Sequence, residues 1–233
     1  EEKLAARPWR YQTPAQILVK ASNGASDFGN KFGQPLIVGS LLTYEGELRF
    51  DGTDSTLPYA YDRAVMLAGG IGFAVSAEAE KGEPTSGDLL VMLGGDNYRI
   101  GMAGGSVSSV DSGKTSQAIE LSAVQRANPE MQKRVLNVIR ALIESGANPV
   151  RVIHDHGAGG HMNCFAELLH PAGGIVAIDR LPVGDPTLSV REILSNESQE
   201  RMGLLVPADK LQLVEEIAAR ERAPLYVVGK VSG

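Results

Sequence analysis

The sequence predicts an α/β domain built in layers, and three observations carry that reading. Leu89-Leu90-Val91-Met92-Leu93 is a continuous apolar run closed by Gly94-Gly95, the pattern of a strand buried on both faces. Asn128-Pro129 supplies an N-cap and a proline at the first helical position. Met131, Val135, Val138, Ile139 and Leu142 then follow at helical spacing until Gly146. From there strand and helix patterns alternate to the last residue, as a sheet covered by helices requires.

Taken in order, residues 1–86 are rich in glycine and turn formers, and their apolar stretches at 16–21, 35–43 and 64–75 show no clear helical periodicity. They are expected to be strands and loops that need another segment to complete their core. The character changes at Gly87. After the 89–93 strand and the helix opened by Pro129 come a strand at 150–153, a helix over 162–169 and a strand at 174–178. A short helix near 189–194 precedes a strand at 203–206. Pro207 opens a helix carrying Leu211, Val214, Ile217 and Ala218, and 225–231 closes as a strand. Strand order and direction do not follow from one sequence.

Composition narrows the function. A chain of 233 residues, 43% hydrophobic and 21% charged, is long enough to bury a sizeable core. Its formal net charge of −6 argues against general nucleic-acid binding, which needs a basic face, but leaves room for a small phosphorylated ligand in a locally positive pocket. Cys164 is the single cysteine, so no intrachain disulfide forms, and a reducing, cytoplasmic setting is the expectation. No apolar run has the length of a membrane span. The opening Glu1-Glu2-Lys3, without an initiator methionine, is expected of a piece cut from a longer polypeptide.

The densest chemistry lies at His154-Asp155-His156-Gly157-Ala158-Gly159-Gly160-His161, where a strand should end and a helix begin. Acidic and imidazole groups project from a strand tip there, glycines let backbone approach a ligand, and the first helical turn offers N–H donors to an anion. That combination suits a phosphorylated substrate held beside a metal, although such turns also arise for conformational reasons alone. Two other motifs are set aside. Ser112-Gly113-Lys114-Thr115 imitates the end of a phosphate-binding loop but has Ser108 where that loop needs glycine. The four histidines, 154, 156, 161 and 170, surround Cys164 at spacings that fit neither a structural nor a catalytic zinc site, and His170, before Pro171, reads as structural. A second glycine-dense segment at 94–106 places Arg99 as an anion contact, and Asn196-Glu197-Ser198-Gln199-Glu200-Arg201 is a strongly polar stretch before an apolar strand.

Five segments in this order resemble one family. Asn30-Lys31-Phe32-Gly33-Gln34-Pro35, Leu67-Ala68-Gly69-Gly70-Ile71-Gly72, Val124-Gln125-Arg126-Ala127-Asn128-Pro129-Glu130-Met131, the His-Asp-x-Gly-Ala-Gly-Gly turn at 154–160 and the 196–201 stretch are similar to phosphoribosylformylglycinamidine synthase, nearest to its large single-chain form. The resemblance covers nearly the whole chain. It implies a mixed-sheet α/β layered domain like the C-terminal domain of aminoimidazole ribonucleotide synthetase at 87–233, preceded at 1–86 by the end of an ATP-binding subdomain.

The same resemblance implies an ATP-dependent ligase that converts formylglycinamide ribonucleotide to its amidine with ammonia from glutamine, in purine biosynthesis, using Mg2+. Asp155 resembles the family's magnesium ligand. Gln125, Glu197, Ser198 and Gln199 resemble its substrate contacts. Gly39, Ser40 and Leu41 match a segment that touches a second, structural nucleotide in the large form, though the usual aromatic residues are missing there. The catalytic histidine, the nucleotide loop, further carboxylates and the glutaminase would lie outside this chain, as domains of the same polypeptide, so the chain alone is expected to be inactive. Self-association is expected of a first half whose strands lack cover. The alternative is a noncatalytic nucleotide-binding or assembly module of the same fold.

Overall fold

The computed structural model describes residues 12–34, 36–49, 51–52, 55–60, 65–101, 129–197 and 201–233. The chain forms two compact units, Glu1–Ala74 and Val75–Gly233, divided in the sequence ahead of the composition change at Gly87.

Among the described residues the first unit begins with a helix, which corrects the expectation of strands and loops around 16–21. Helix α1 spans Pro14–Phe32. The Thr13 hydroxyl accepts the Gln16 N–H at 3.3 Å while the Gln16 side chain accepts the Thr13 N–H at 2.9 Å, so two orphan donors are satisfied at once. Gly33, at φ 71, closes the other end with its N–H on the Gly29 carbonyl. The caps specify this helix where apolar spacing does not. The stretches at 35–43 and 64–75 do hold strands: β1 (Val38–Leu42) pairs antiparallel with β4 (Val65–Gly69), and β2 (Glu45–Arg49) with β3 (Thr56–Ala60).

The second unit is built on a five-stranded sheet of β5 (Leu89–Leu93), β6 (Val152–Asp155), β7 (Gly174–Val176), β8 (Met202–Val206) and β9 (Leu225–Val231), in the order β6-β8-β5-β9-β7. Side chains alternate between its faces. Leu90, Met92 and Leu205 enter one core with Cys164, Phe165 and Leu168 of helix α3 (Gly160–Leu169), while Val91, Leu93, Leu204 and Val206 enter the other. That second core is closed by Val135, Val138 and Leu142 of helix α2 (Pro129–Glu144) and by Val214, Ile217 and Ala218 of a helix at Leu211–Glu221. The short helix α4 (Val190–Ser195) lies between α3 and β8 in sequence, which makes the Leu211–Glu221 helix α5. Its Ser189 N-cap forms a capping box with Glu192.

The layered α/β expectation holds, with three corrections. Every ladder of the sheet is antiparallel, so the mixed direction expected from the resemblance does not hold among the described strands. A five-residue apolar run records burial on both faces, and helices can cover an antiparallel sheet as fully as a parallel one. Strand β6 begins two residues later than the expected 150–153, because the Asn148 side chain accepts the Val150 N–H and holds it in a turn. Strand β7 ends at Val176, and Ile178–Arg180 forms a 3-10 turn.

Candidate functional site

Because β8 runs antiparallel to both β5 and β6, its first residue sits beside their last ones: Met202 pairs with Leu93 and with Asp155. Leu225 pairs with Leu93 from the other side. The segments that follow β5 and β6 and precede β8 therefore meet at one end of the sheet. They are joined there by hydrogen bonds. The Arg201 guanidinium donates to the Gly95 carbonyl at 2.6 Å, the His156 N–H to the Arg201 carbonyl at 3.1 Å, and the Glu197 N–H to the Gly101 carbonyl at 3.0 Å.

This end is both polar and buried. Asn97, His156, His161, Asn196, Glu197 and Arg201 are all nearly inaccessible to solvent. The two imidazoles face each other, His156 Nε2 to His161 Nδ1 at 2.9 Å. Burial pushes both rings away from the charged form, His156 well below the usual histidine range and His161 down to about 3, with the nearby Arg201 charge acting in the same direction. Arg201 also lies near Tyr226, whose hydroxyl is raised first by burial and then by the Asp96 charge. Among the described residues the site thus holds the Arg201 guanidinium and the Glu197 carboxylate amid neutral imidazoles and amides, which suits a ligand bearing several hydrogen-bonding groups.

The expected residues fall unevenly on this frame. Glu197 is inside the cluster. Asp155 is the last residue of β6, with its side chain 70% exposed and its Oδ1 3.6 Å from His154 Nδ1. His154 Nδ1 also lies 2.7 Å from the Asp155 carbonyl oxygen and its Nε2 lies 2.8 Å from Glu167 Oε2, so the ring is fixed from both sides. Gln125, Ser198 and Gln199, like the 112–115 motif, lie outside the described residues. Gly39, Ser40 and Leu41 belong to β1 of the first unit, opposite Ala68, Leu67 and Met66. Among the described residues no group of three histidine, cysteine, aspartate or glutamate side chains could hold a metal by itself.

Arg99, expected as an anion contact, is engaged within the chain. Its Nε donates to Glu192 at 2.9 Å, its Nη2 to the Thr187 carbonyl at 3.0 Å, and Asp185 lies 3.8 Å from Nη1. Hydrogen bonds from the Ser189 N–H and hydroxyl, with Arg99 beside them, hold the Glu192 carboxyl at about 2. Cys164 is a packing residue, its thiol pushed up to about 12 chiefly by burial. Asn97 was not singled out from the sequence. Its Nδ2 donates to the Ile193 carbonyl at 2.7 Å and ties the segment after β5 to α4, a long-range contact with no local signal.

Residues 85–233, a sheet layered with helices on both faces and a buried polar end, match the family described as AIR synthase related protein, C-terminal domain. The chain belongs to that family. It is also 39% identical over 228 residues to phosphoribosylformylglycinamidine synthase of Homo sapiens, covering 97% of this chain, and 40% identical over 230 residues to that of Drosophila melanogaster, again covering 97%. It spans 17% of the length of each of these relatives. Among solved structures, the chain resembles Thermotoga maritima PurL complexed with FGAR at a TM-score of 0.60 and 26% identity, over 89% of this chain and 32% of that one.

Proposed function

We infer that this chain is part of an ATP-dependent carbon–nitrogen ligase that converts formylglycinamide ribonucleotide, with ammonia released from glutamine, to the amidine in purine biosynthesis. ATP phosphorylates the amide oxygen of the substrate, and ammonia then displaces phosphate. The observation that carries the reading is the convergence of Glu197, the glycine turn and the segment after β5 on one buried, polar end of the sheet. The names of the human and fly relatives and of the FGAR-bound Thermotoga maritima protein support it. A structure of Thermotoga maritima PurL is also described as complexed with ATP.

In this reading Glu197, with Gln125, Ser198 and Gln199, orients the ribonucleotide, while Gly39, Ser40 and Leu41 approach a second nucleotide. Asp155 fits magnesium as a single ligand: an exposed carboxylate on a rigid strand end suits a hard cation, which takes one or two carboxylates and completes its shell with phosphate and water oxygens. Bound magnesium would neutralise phosphate charge during transfer. The remaining synthetase and glutaminase domains are the partners, with a second copy able to cover the first unit. The single cysteine supports a reducing compartment, the cytoplasm in this proposal, whereas an Arabidopsis thaliana relative is named chloroplastic/mitochondrial. No described helix is long and apolar enough to cross a membrane.

The test supplies formylglycinamide ribonucleotide, ATP, magnesium and an ammonium salt both to this chain alone and to the longer polypeptide that contains it. Amidine is expected only from the longer polypeptide. Turnover by neither would favour a noncatalytic module, and turnover by the chain alone would show that the catalytic centre is misplaced. Within the longer polypeptide, Asp155→Asn should lower the rate at limiting magnesium with little change in stability, and an unchanged magnesium dependence would remove Asp155 from the metal site.

A further inference from the structure

The turn between β6 and α3 has little conformational preference of its own, since Gly157, Gly159 and Gly160 fill three of the four positions between His156 and His161. Its placement is nonetheless tightly constrained. Gly160, at φ 63, lies so near the carbonyls of Leu194 and Asn196 that a Cβ there would stand 2.9 Å from the first and closer still to the second. Asn196 directly precedes Glu197. Any drift of the turn is therefore transmitted to the backbone that carries Glu197.

What holds the turn lies inside it. His156 and His161 bracket the glycines, and their rings meet beneath it at 2.9 Å, Nε2 to Nδ1. Phe165, one helical turn further along α3, contacts both rings, edge-on to His156 at 5.5 Å and stacked on His161 at 5.4 Å. With both rings neutral, one donates and the other accepts. The outer nitrogens, His156 Nδ1 and His161 Nε2, are buried without a hydrogen-bond partner among the described residues. A pair retained for stability alone would be better replaced by apolar side chains of similar volume, because unpaired buried polar atoms are costly.

We propose that the His156–His161 pair is a positioning unit for the substrate pocket: it staples the glycine turn so that Gly160 abuts Asn196 and sets Glu197 against the ribonucleotide. Neither histidine touches the reacting atoms. The inference rests on the reading of Glu197 as a substrate contact.

The test compares two double variants in the full-length polypeptide. His156→Leu with His161→Leu fills the space without the hydrogen bond, whereas His156→Gln with His161→Asn places amide groups where Nε2 and Nδ1 now meet. The leucine pair should raise the KM for formylglycinamide ribonucleotide about tenfold, leaving the KM for ATP unchanged, and the amide pair should restore it. A purely structural role would lower the amount of folded enzyme and so the apparent kcat, without moving KM. Wild-type turnover with an unchanged KM in the leucine pair would overturn the staple alone, while a wild type that makes no amidine would overturn the ligase reading and this inference with it. If the leucine pair does not fold, His161→Phe, which keeps the stacking on Phe165, takes its place, and equal KM values for it and the amide pair would overturn the proposal.

Discussion

The two units use hydrogen-bonded strands to opposite effect. In the second, β5 and β8 have four of their five residues each buried, because helices close both faces of a five-stranded sheet. In the first, β1 and β4 pair over five residues, yet Val38 and Leu67 are 61% and 58% exposed. Pairing satisfies backbone groups without removing side chains from water, and a two-stranded ladder alone is marginal. The difference teaches that the cover, not the ladder, makes a strand part of a core.

The largest effect should come from the cores. Leu205→Ala should cost about 2–5 kcal/mol in urea unfolding, since it opens a cavity in the sheet's interior, and Leu67→Ala should cost less than about 1 kcal/mol. Similar losses at the two sites would break the comparison.

Acid provides the next test. His156 and His161 of the second unit have folded-state values below 6.5, with His161 at about 3, so below 6.5 the unfolded chain binds protons that these two folded rings refuse. Stability is therefore full above about 6.5 and falls as pH is lowered toward about 3, each histidine adding a slope of about 1.4 kcal/mol per pH unit while it titrates only in the unfolded state. Urea midpoints that do not change from neutral pH to mild acid would show that the pair is solvated.

Glycine substitutions should separate the units by sign. Gly160→Ala is expected to destabilise by about 2 kcal/mol, through its left-handed backbone and the Asn196 carbonyl. Gly24→Ala, inside α1 with open space around it, should stabilise by about 0.5–1 kcal/mol. Calorimetry on both variants checks the sign. The smallest contrast is a similarity: Thr13→Ala and Ser189→Ala each break a capping box and should each cost about 1 kcal/mol, because a cap depends on its own turn rather than on the unit around it.

The legibility of the chain followed the same division. The strand at 89–93, the helix after Pro129 and the short helix near 189–194 are readable because a local pattern carries each of them. Helix α1 is legible only at its ends, Thr13-Pro14-Ala15-Gln16 and Gly33, since its apolar residues show no clear helical periodicity and Leu18, Val19 and Phe28 are exposed. Asp155 and Glu197 were singled out by resemblance to known motifs. The His156–His161 contact has a weaker signal, two histidines flanking three glycines, which permits a staple without requiring it.

Local sequence by itself determined where strands and helices of the second unit form, because alternation, helical spacing, caps and glycines act within a few residues of one another. Only the tertiary structure decided that the ladders among its described strands run antiparallel, that Met202 stands beside both Leu93 and Asp155, and that Arg201 is tied to Gly95. Those outcomes depend on which apolar faces can be buried together across more than a hundred residues of chain. No local pattern encodes that choice.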